Sequence, residues 1–295
     1  MSDEIKRATG LLVIEVVNSN PNGDPDRESD PRQRPNGLGE ISPVSFKRKL
    51  RDLLEDADSP FFKALPPDYS GNSGSYRILE SRGRDRAAIT KEMGDVKAKD
   101  FDQQKFLASD FAKKYWDARV FGNTFLEEGA NKGFIKTGAV QFGVGVSLSP
   151  ISIVRHTNTN KSGVQEGKNQ GMAPLAFRIV EHGVYVMPFF VNPNYAAKTG
   201  CTAKDIALLK ILIPHAYDQT KSAIRPDVRL RHAWYIEHKN LLGSCPDYRL
   251  FEALTPKRIG DAKEASTSWK DYEDVNELSG ELKGKIASCV DLVNA

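Results

Sequence analysis

Residues Leu11-Leu12-Val13-Ile14-Glu15-Val16-Val17 form a continuous run, apolar at every position but one and rich in β-branched side chains. So short a run, closed by turn-forming residues, reads as a buried central strand around which the rest of the chain must build a sheet. The stretch that follows, 18–26, is Asn-Ser-Asn-Pro-Asn-Gly-Asp-Pro-Asp. These residues favour turns and expose backbone amides, which makes the segment a loop at a strand end.

Ser42-Pro43 then offers an N-cap followed by proline at the first helical position. The spacing of Phe46, Leu50, Leu53 and Leu54 predicts a helix whose apolar arc packs inward. Lys47, Arg48 and Arg51 fall on the adjoining arc and are expected to face outward together, as a positive ledge beside the loop. Cations next to backbone amides are what a phosphodiester backbone requires, and an ordinary solvated helix face would carry the same residues.

Between 60 and 110 the pattern weakens through Pro66-Pro67 and Gly71-Asn72-Ser73-Gly74-Ser75, as in an insertion, before helical spacing resumes at Phe101, Phe106 and Phe111. Residues 134–154 read as strands punctuated by Gly138, Gly143 and Gly145. Polar, glycine-containing sequence from His156 to Pro174 lies between strand-like segments, which predicts a long hairpin. Another strand covers 183–191. Ile206, Leu209, Ile213 and Tyr217, with Thr202 as cap, predict a second main helix over 203–224, kinked at Pro214. Alternation over 228–238 places Val228, Leu230, His232, Trp234 and Ile236 on one face and Arg229, Arg231, Ala233 and Tyr235 on the other. This order fits an α+β fold, a βαββαβ sheet with helices on one side, as a single domain over 1–295.

The 42 Lys and Arg against 39 Asp and Glu leave a net charge of +3. Residues 261–295 hold eight acidic and four basic side chains, a balance of −4 that leaves +7 for the rest. A basic body with an acidic end suits contact with a polyanion, or with an acidic segment of a neighbouring copy. Enzymatic signatures are missing: the chain has no Gly-x-x-x-x-Gly-Lys-Ser/Thr loop, His-Glu-x-x-His helix or full dinucleotide fingerprint. Cys201, Cys245 and Cys289 are widely spaced and read as reduced structural thiols, and the five histidines read as structural. Asp24, Asp26 and Asp30 suit turn formation better than a metal site, so no metal or cofactor is expected. No apolar run approaches the roughly 20 residues of a membrane span, and the start lacks a signal peptide's apolar stretch. A soluble, cytoplasmic protein is the expectation.

Asn20-Pro21-Asn22-Gly23-Asp24-Pro25-Asp26 followed by Phe46-Lys47-Arg48-Lys49-Leu50-Arg51 resembles the start of the CRISPR-associated Cascade backbone proteins. These form the Cas-seven family, here in its type I-C and I-B branch, within the repeat-associated (RAMP) superfamily. Tyr115-Trp116-Asp117-Ala118-Arg119-Val120-Phe121-Gly122 is similar to the family's Asp-x-Arg-x-Phe-Gly segment. Thr137-Gly138-Ala139-Val140-Gln141-Phe142-Gly143 resembles its Thr-Gly-Pro-Val-Gln block, with Ala139 in place of proline. Gly183-Val184-Tyr185, Ala196-Ala197-Lys198-Thr199-Gly200 and Ser222-Ala223-Ile224-Arg225 follow in the family's order.

The resemblance implies an RRM-like (ferredoxin-like) palm, a helical finger insertion over about 56–110 and a thumb β-hairpin over about 155–178. The acidic segment 261–295 has no counterpart in it. It implies a non-catalytic subunit that binds CRISPR RNA, multimerises with copies of itself in a helical filament along that guide, and presents it for pairing with target DNA. Other Cascade subunits, the small cap subunit and the large subunit, are the further partners. Asn20, Asn22 and Gly23 then become backbone contacts, Lys47, Arg48 and Arg51 phosphate ligands, and Gln141 and Phe142 palm contacts. Arg119 reads as structural. Arg225 matches a family block, and Arg229 and Arg231 join it because their strand face is basic. Met172 or Leu175 is the candidate thumb wedge against an unstacked base. On this reading, Lys47→Glu with Arg51→Glu spares folding and weakens guide binding. The alternatives are a metal-dependent ribonuclease acting on guide-paired RNA through Asp24, and a self-associating protein without nucleic acid.

Overall fold

The structure, a computed structural model, describes residues 4–83, 87–88, 91, 103–122, 137–161 and 172–294. Its centre is β1 (Ala8–Ser19). Leu12, Ile14 and Val16 of β1 enter one hydrophobic cluster, while Leu11 and Val13 enter two others on the opposite face. Burial on both faces is why the run does not alternate with polar residues.

Around β1 lie β2 (Leu38–Ile41), α1 (Pro43–Leu54), α2 (Trp116–Phe121), β3 (Val140–Phe142), β4 (Gly145–Pro150), β5 (Ile153–Lys161) and β6 (Met172–Val191). Next come α3 (Ala203–Leu212), β7 (Val228–His238), α4 (Asp247–Leu254) and β8 (Ile286–Asp291). The sheet runs β8-β7-β1-β6-β4-β2, with β3 and β5 also pairing with β6. Every pairing is antiparallel, so the fold is a mixed α+β one built on an antiparallel sheet.

Helix α1 starts where the sequence predicts. The Ser42 hydroxyl accepts a hydrogen bond from the Ser45 amide at 3.2 Å, and Pro43 occupies the first turn. Phe46, Leu50, Leu53 and Leu54 are buried against the sheet with Ile206, Leu208, Leu209 and Leu212 of α3. Thr202 and Asp205 cap α3 reciprocally. The chain is not one kinked helix to Ile224. It leaves α-helix at Leu212 and makes a 3-10 turn over Ile213–His215, because Pro214 has no amide hydrogen to continue the ladder.

Helices do not confine themselves to one side. Against the second face pack Leu250 and Leu254 of α4, together with Tyr272, Leu278, Leu282 and Ile286. The acidic C-terminal stretch is thus a layer of this chain's own fold, ending in β8 at the sheet edge. Strand β7 also departs from simple alternation. Val13 pairs with His232 and Ile14 with Leu230, so Arg231 is the extra residue of a bulge. Val228 packs with Ala233 and Tyr235 in the main core, while Trp234 and Ile236 face the C-terminal layer.

In the described part of 56–110, Phe62, Leu65, Tyr69, Tyr76 and Ile78 are buried in the main core. Phe101 lies outside the described residues. The expected hairpin is present: β5 and β6 pair from Ile153 with Val180 to Lys161 with Met172. Among the described residues no helix is long and apolar enough to cross a membrane.

Candidate nucleic-acid interface

At about 100° per residue, Lys47 and Lys49 fall on opposite flanks of the apolar arc of α1, and Arg51 lies beyond Lys47. The two flanks meet different surroundings. On the Lys47 side stands α2, carrying Asp117. Arg51 is only 4% exposed. Its Nε donates to Asp117 Oδ2 at 2.9 Å, and its Nη2 lies 2.9 Å from Glu80. Asp117 also accepts from the amides of Leu79 at 2.7 Å and Glu80 at 3.2 Å. Arg48 donates to Asp52 at 2.7 Å and to the Glu80 carbonyl, and pairs with Glu55. The Lys47 ammonium sits 5.5 Å from the centre of the Phe121 ring, and burial, with Arg51 beside it, holds its pKa below the usual lysine value. The outward ledge of Lys47, Arg48 and Arg51 is therefore corrected. Arg48 is neutralised by Asp52 and Glu55 at the end of its own helix and Arg51 by Asp117 and Glu80 from elsewhere in the chain, so neither guanidinium is left over for a ligand.

The opposite flank carries the cation that the sequence reading passed over. Lys49 is 7% exposed, and among the described residues no carboxylate lies within ion-pair distance of it. Burial, reinforced by the like charge of Arg225, lowers its pKa to about 8. Arg225 in turn donates through Nε to the Asn20 carbonyl at 2.9 Å, and no described carboxylate pairs with it. Burial also lowers its pKa. Two poorly compensated positive side chains thus converge beside the loop that follows β1. The flank position of Lys49 in the Phe46–Arg51 run was the available signal.

The loop's asparagines fasten it. The Asn20 amide donates to the Ile224 carbonyl at 2.8 Å, and its side chain donates to the Ser29 carbonyl at 2.8 Å. Asn22 Oδ1 accepts from both the amide (2.8 Å) and the hydroxyl (2.7 Å) of Ser42. A Cβ on Gly23 would lie 2.9 Å from the Ser29 carbonyl oxygen, which is why glycine stands there. Asn20 and Asn22 are buried, so they position the loop against α1 and the 222–227 segment rather than project from it. Asp24 accepts from the Asp26 amide and lies 3.7 Å from Arg32, and Asp30 pairs with Arg178. Among the described residues no group of three or more His, Cys, Asp or Glu is placed to hold a metal ion.

Arg229 and Arg231 lie elsewhere. Both reach the buried carboxylate of Glu15 on β1, at 3.4 and 2.7 Å, on the face covered by the C-terminal layer. The bulge at Arg231 turns them away from α1. Phe142 is likewise corrected: it is a core residue, with ring centroids 5.1 Å from Phe46 and 5.2 Å from Phe189. Gln141 is half-buried and donates to the Gly138 carbonyl. Arg119 is structural as expected, held by Asp205 at 2.7 and 3.0 Å and by the carbonyls of Ala112 and Ser75. Met172 and Leu175 lie on β6 opposite Lys161 and Asn158, and their side chains lie outside the described part of the structure. At the base of that hairpin, a cavity of about 260 Å³ opens between Asn20, Ser29, Arg155, Phe177 and Ile224.

Comparison with known proteins adds a lineage to this geometry. A CRISPR-associated protein Cas7 from Haloferax volcanii is 26% identical over 227 residues, covering 70% of this chain and 63% of the relative. This chain therefore spans less than two thirds of the curated relative it matches. Among solved structures, a chain of a "CRISPR RNA-guided surveillance complex, pre-nicking" aligns at TM-score 0.47 and 14% identity, covering 79% of this chain and 78% of that one. A chain of the type III-B Cmr-beta complex bound to cognate target RNA aligns at 0.40 and 11%, covering 79% and 61%. Residues 6–276 match the family model for CRISPR-associated protein Cas7, and the chain belongs to that family.

Proposed function

We propose that this protein is a CRISPR RNA-binding backbone subunit of a type I surveillance complex, of the I-B or I-C branch. It multimerises along the guide in an open, head-to-tail filament and presents the guide for pairing with target DNA. Family membership supports the class, and one observation carries the site: Lys49 and Arg225, without carboxylate partners among the described residues, beside the fastened loop 18–24. A phosphodiester supplies the missing negative charge there without any reading of bases, which pairing performs instead. The strand order β7-β1-β6-β4, with α1 and α3 on one face, supports an RRM-like palm. The 155–178 hairpin serves as its thumb and 56–110 as its finger segment, with Met172 or Leu175 as the wedge. The small cap subunit and the large subunit complete the assembly.

The subunit acts by positioning and has no chemistry of its own in this proposal. Asp24 is engaged in turning its loop and lies near Arg32, which supports a structural role for it. The test is to purify the protein from cells holding a CRISPR array and extract its nucleic acid. Nuclease-protected RNA of uniform length is the expected result. Protein free of RNA, with no salt-sensitive affinity for added single-stranded RNA, defeats the proposal. Regular cleavage of complementary RNA in magnesium, lost in Asp24→Ala, would establish the ribonuclease alternative.

A further inference from the structure

His232 lies on β7 at the seam between the sheet and the acidic C-terminal layer and is 5% exposed. Its Nδ1 lies 2.7 Å from Asp291 Oδ2 on β8, and its Nε2 lies 2.8 Å from Asp274 Oδ1 in the preceding segment. Both carboxylates are acceptors, so both ring nitrogens must donate. Only an imidazolium carries two N–H groups.

We propose that His232 is a charge-dependent latch: protonated, it clamps Asp274 and Asp291 together and fastens the acidic C-terminal layer to the sheet, and on losing a proton it releases the 272–278 segment.

The remaining bonds decide which side lets go. Asp291 also accepts from the amides of Ala233 at 2.9 Å and Val293 at 3.2 Å and from the side chain of Asn294 at 2.7 Å. Among the described residues Asp274 has only the neighbouring Val275 amide besides the histidine, at 2.8 Å, and it is the more exposed carboxylate. A neutral imidazole keeps one N–H, which stays on the better-held Asp291 and leaves Asp274 facing a bare ring nitrogen.

Among the described residues the other groups around the ring are Arg231, already paired with Glu15 and lying 4.9 Å over Trp269, the rings of Trp234 and Trp269, 5.2 and 6.5 Å away, and the Asn294 side-chain amide, 3.5 Å from Nδ1 and closer, at 2.7 Å, to Asp291. Asn276 and Asn294 share the same cavity of about 390 Å³. Burial alone would push the His232 pKa down; the two carboxylate bonds outweigh it and raise it above 6.5. A raised pKa contributes stability that is complete below the unfolded value and lost as pH rises through the folded one. On the acid side Asp291, held below 3.8 by the same contact and its amide donors despite burial, keeps the clamp closed.

The experiment measures amide hydrogen exchange of residues 272–291 in the full chain near pH 6 and pH 9, corrected for intrinsic exchange, with the His232 ring titrated by NMR. Protection in the wild type is expected to fall about tenfold for each pH unit by which the folded pKa exceeds 6.5. His232→Gln should show no such fall. Asp274→Asn should also be flat, because an amide can donate to the neutral Nε2 and keep the latch shut at alkaline pH. A wild-type profile without the fall, or the same fall in Asp274→Asn, overturns the latch even where His232→Gln fails to fold.

Discussion

Replacing Lys49 by methionine separates what this cation does for the fold from what it does for a ligand. The unbranched thioether fills the space of the lysine stem and deletes only the ammonium. A pKa of about 8, against an ordinary 10.5, means that the folded state disfavours the charge. At about 1.4 kcal/mol per pKa unit, this sets an upper bound of about 3 kcal/mol on the cost at neutral pH. Lys49→Met should therefore be more stable than the wild type at pH 7 by up to that amount. A depressed lysine pKa is costly below the folded value and relieved above it, so the advantage of the variant should shrink as pH rises from 8 towards 10.5.

Binding moves the opposite way. Under the proposed function a phosphate beside Lys49 raises its pKa again, so RNA affinity should be complete below about pH 8 and fall above it. The charged fraction drops about tenfold between pH 7 and pH 9, and the affinity for an oligoadenylate should follow. Adenine carries no group that titrates in this range. Fluorescence anisotropy across a salt series should give a log–log slope shallower by about 0.7 in Lys49→Met, one single-strand phosphate contact, and a flattened pH profile. A variant that gains stability yet keeps the wild-type salt slope and pH profile refutes the assignment of Lys49 to the RNA.

Further substitutions probe the framework behind that site. Arg51→Met removes the partner of buried Asp117 and should cost about 3–5 kcal/mol in urea unfolding; for the same reason Lys47→Glu with Arg51→Glu is expected to unfold the protein rather than report on binding. Gly10→Ala places a Cβ 2.0 Å from the Phe189 ring and should cost about 1–3 kcal/mol, with part of the loss recovered when Phe189→Leu is added; strict additivity in the double-mutant cycle would contradict the contact. Arg231→Gln leaves Glu15, now held below the usual carboxylate range by His182, Arg231 and Arg229 against the effect of burial, with less compensation. A depressed carboxylate pKa stabilises above the unfolded value, so the deficit of Arg231→Gln should be full at pH 7 and narrow below about pH 4, while its RNA salt slope stays that of the wild type.

The parts of this molecule that could be read from sequence are those whose cause is local. A seven-residue run interrupted only by Glu15, a Ser-Pro cap and a hairpin's flanking strands fix β1, α1 and the β5–β6 pair through interactions spanning a few residues. The fate of the buried arginines is not local. In the Phe46–Arg51 run, Arg51 is claimed by Asp117, 66 positions away, and Arg231 by Glu15, 216 positions away. Charge clustering along the chain therefore overstated the basic surface, since an arginine fork that finds a buried carboxylate no longer offers charge to a ligand. The C-terminal layer escaped for a related reason: its short segments have too little periodicity to announce a buried face, and its acidity suggested a partner in another molecule. Much of that acidity is answered within the chain, by His232, Arg258, Arg249, Lys283 and Lys285. Lys49 is informative because it breaks this pattern. A fold that neutralises its buried Arg51 and Arg119 with dedicated carboxylates leaves buried Lys49 beside Arg225 with no ion-pair partner among the described residues, and under the proposed function a ligand's negative charge meets that residual cost.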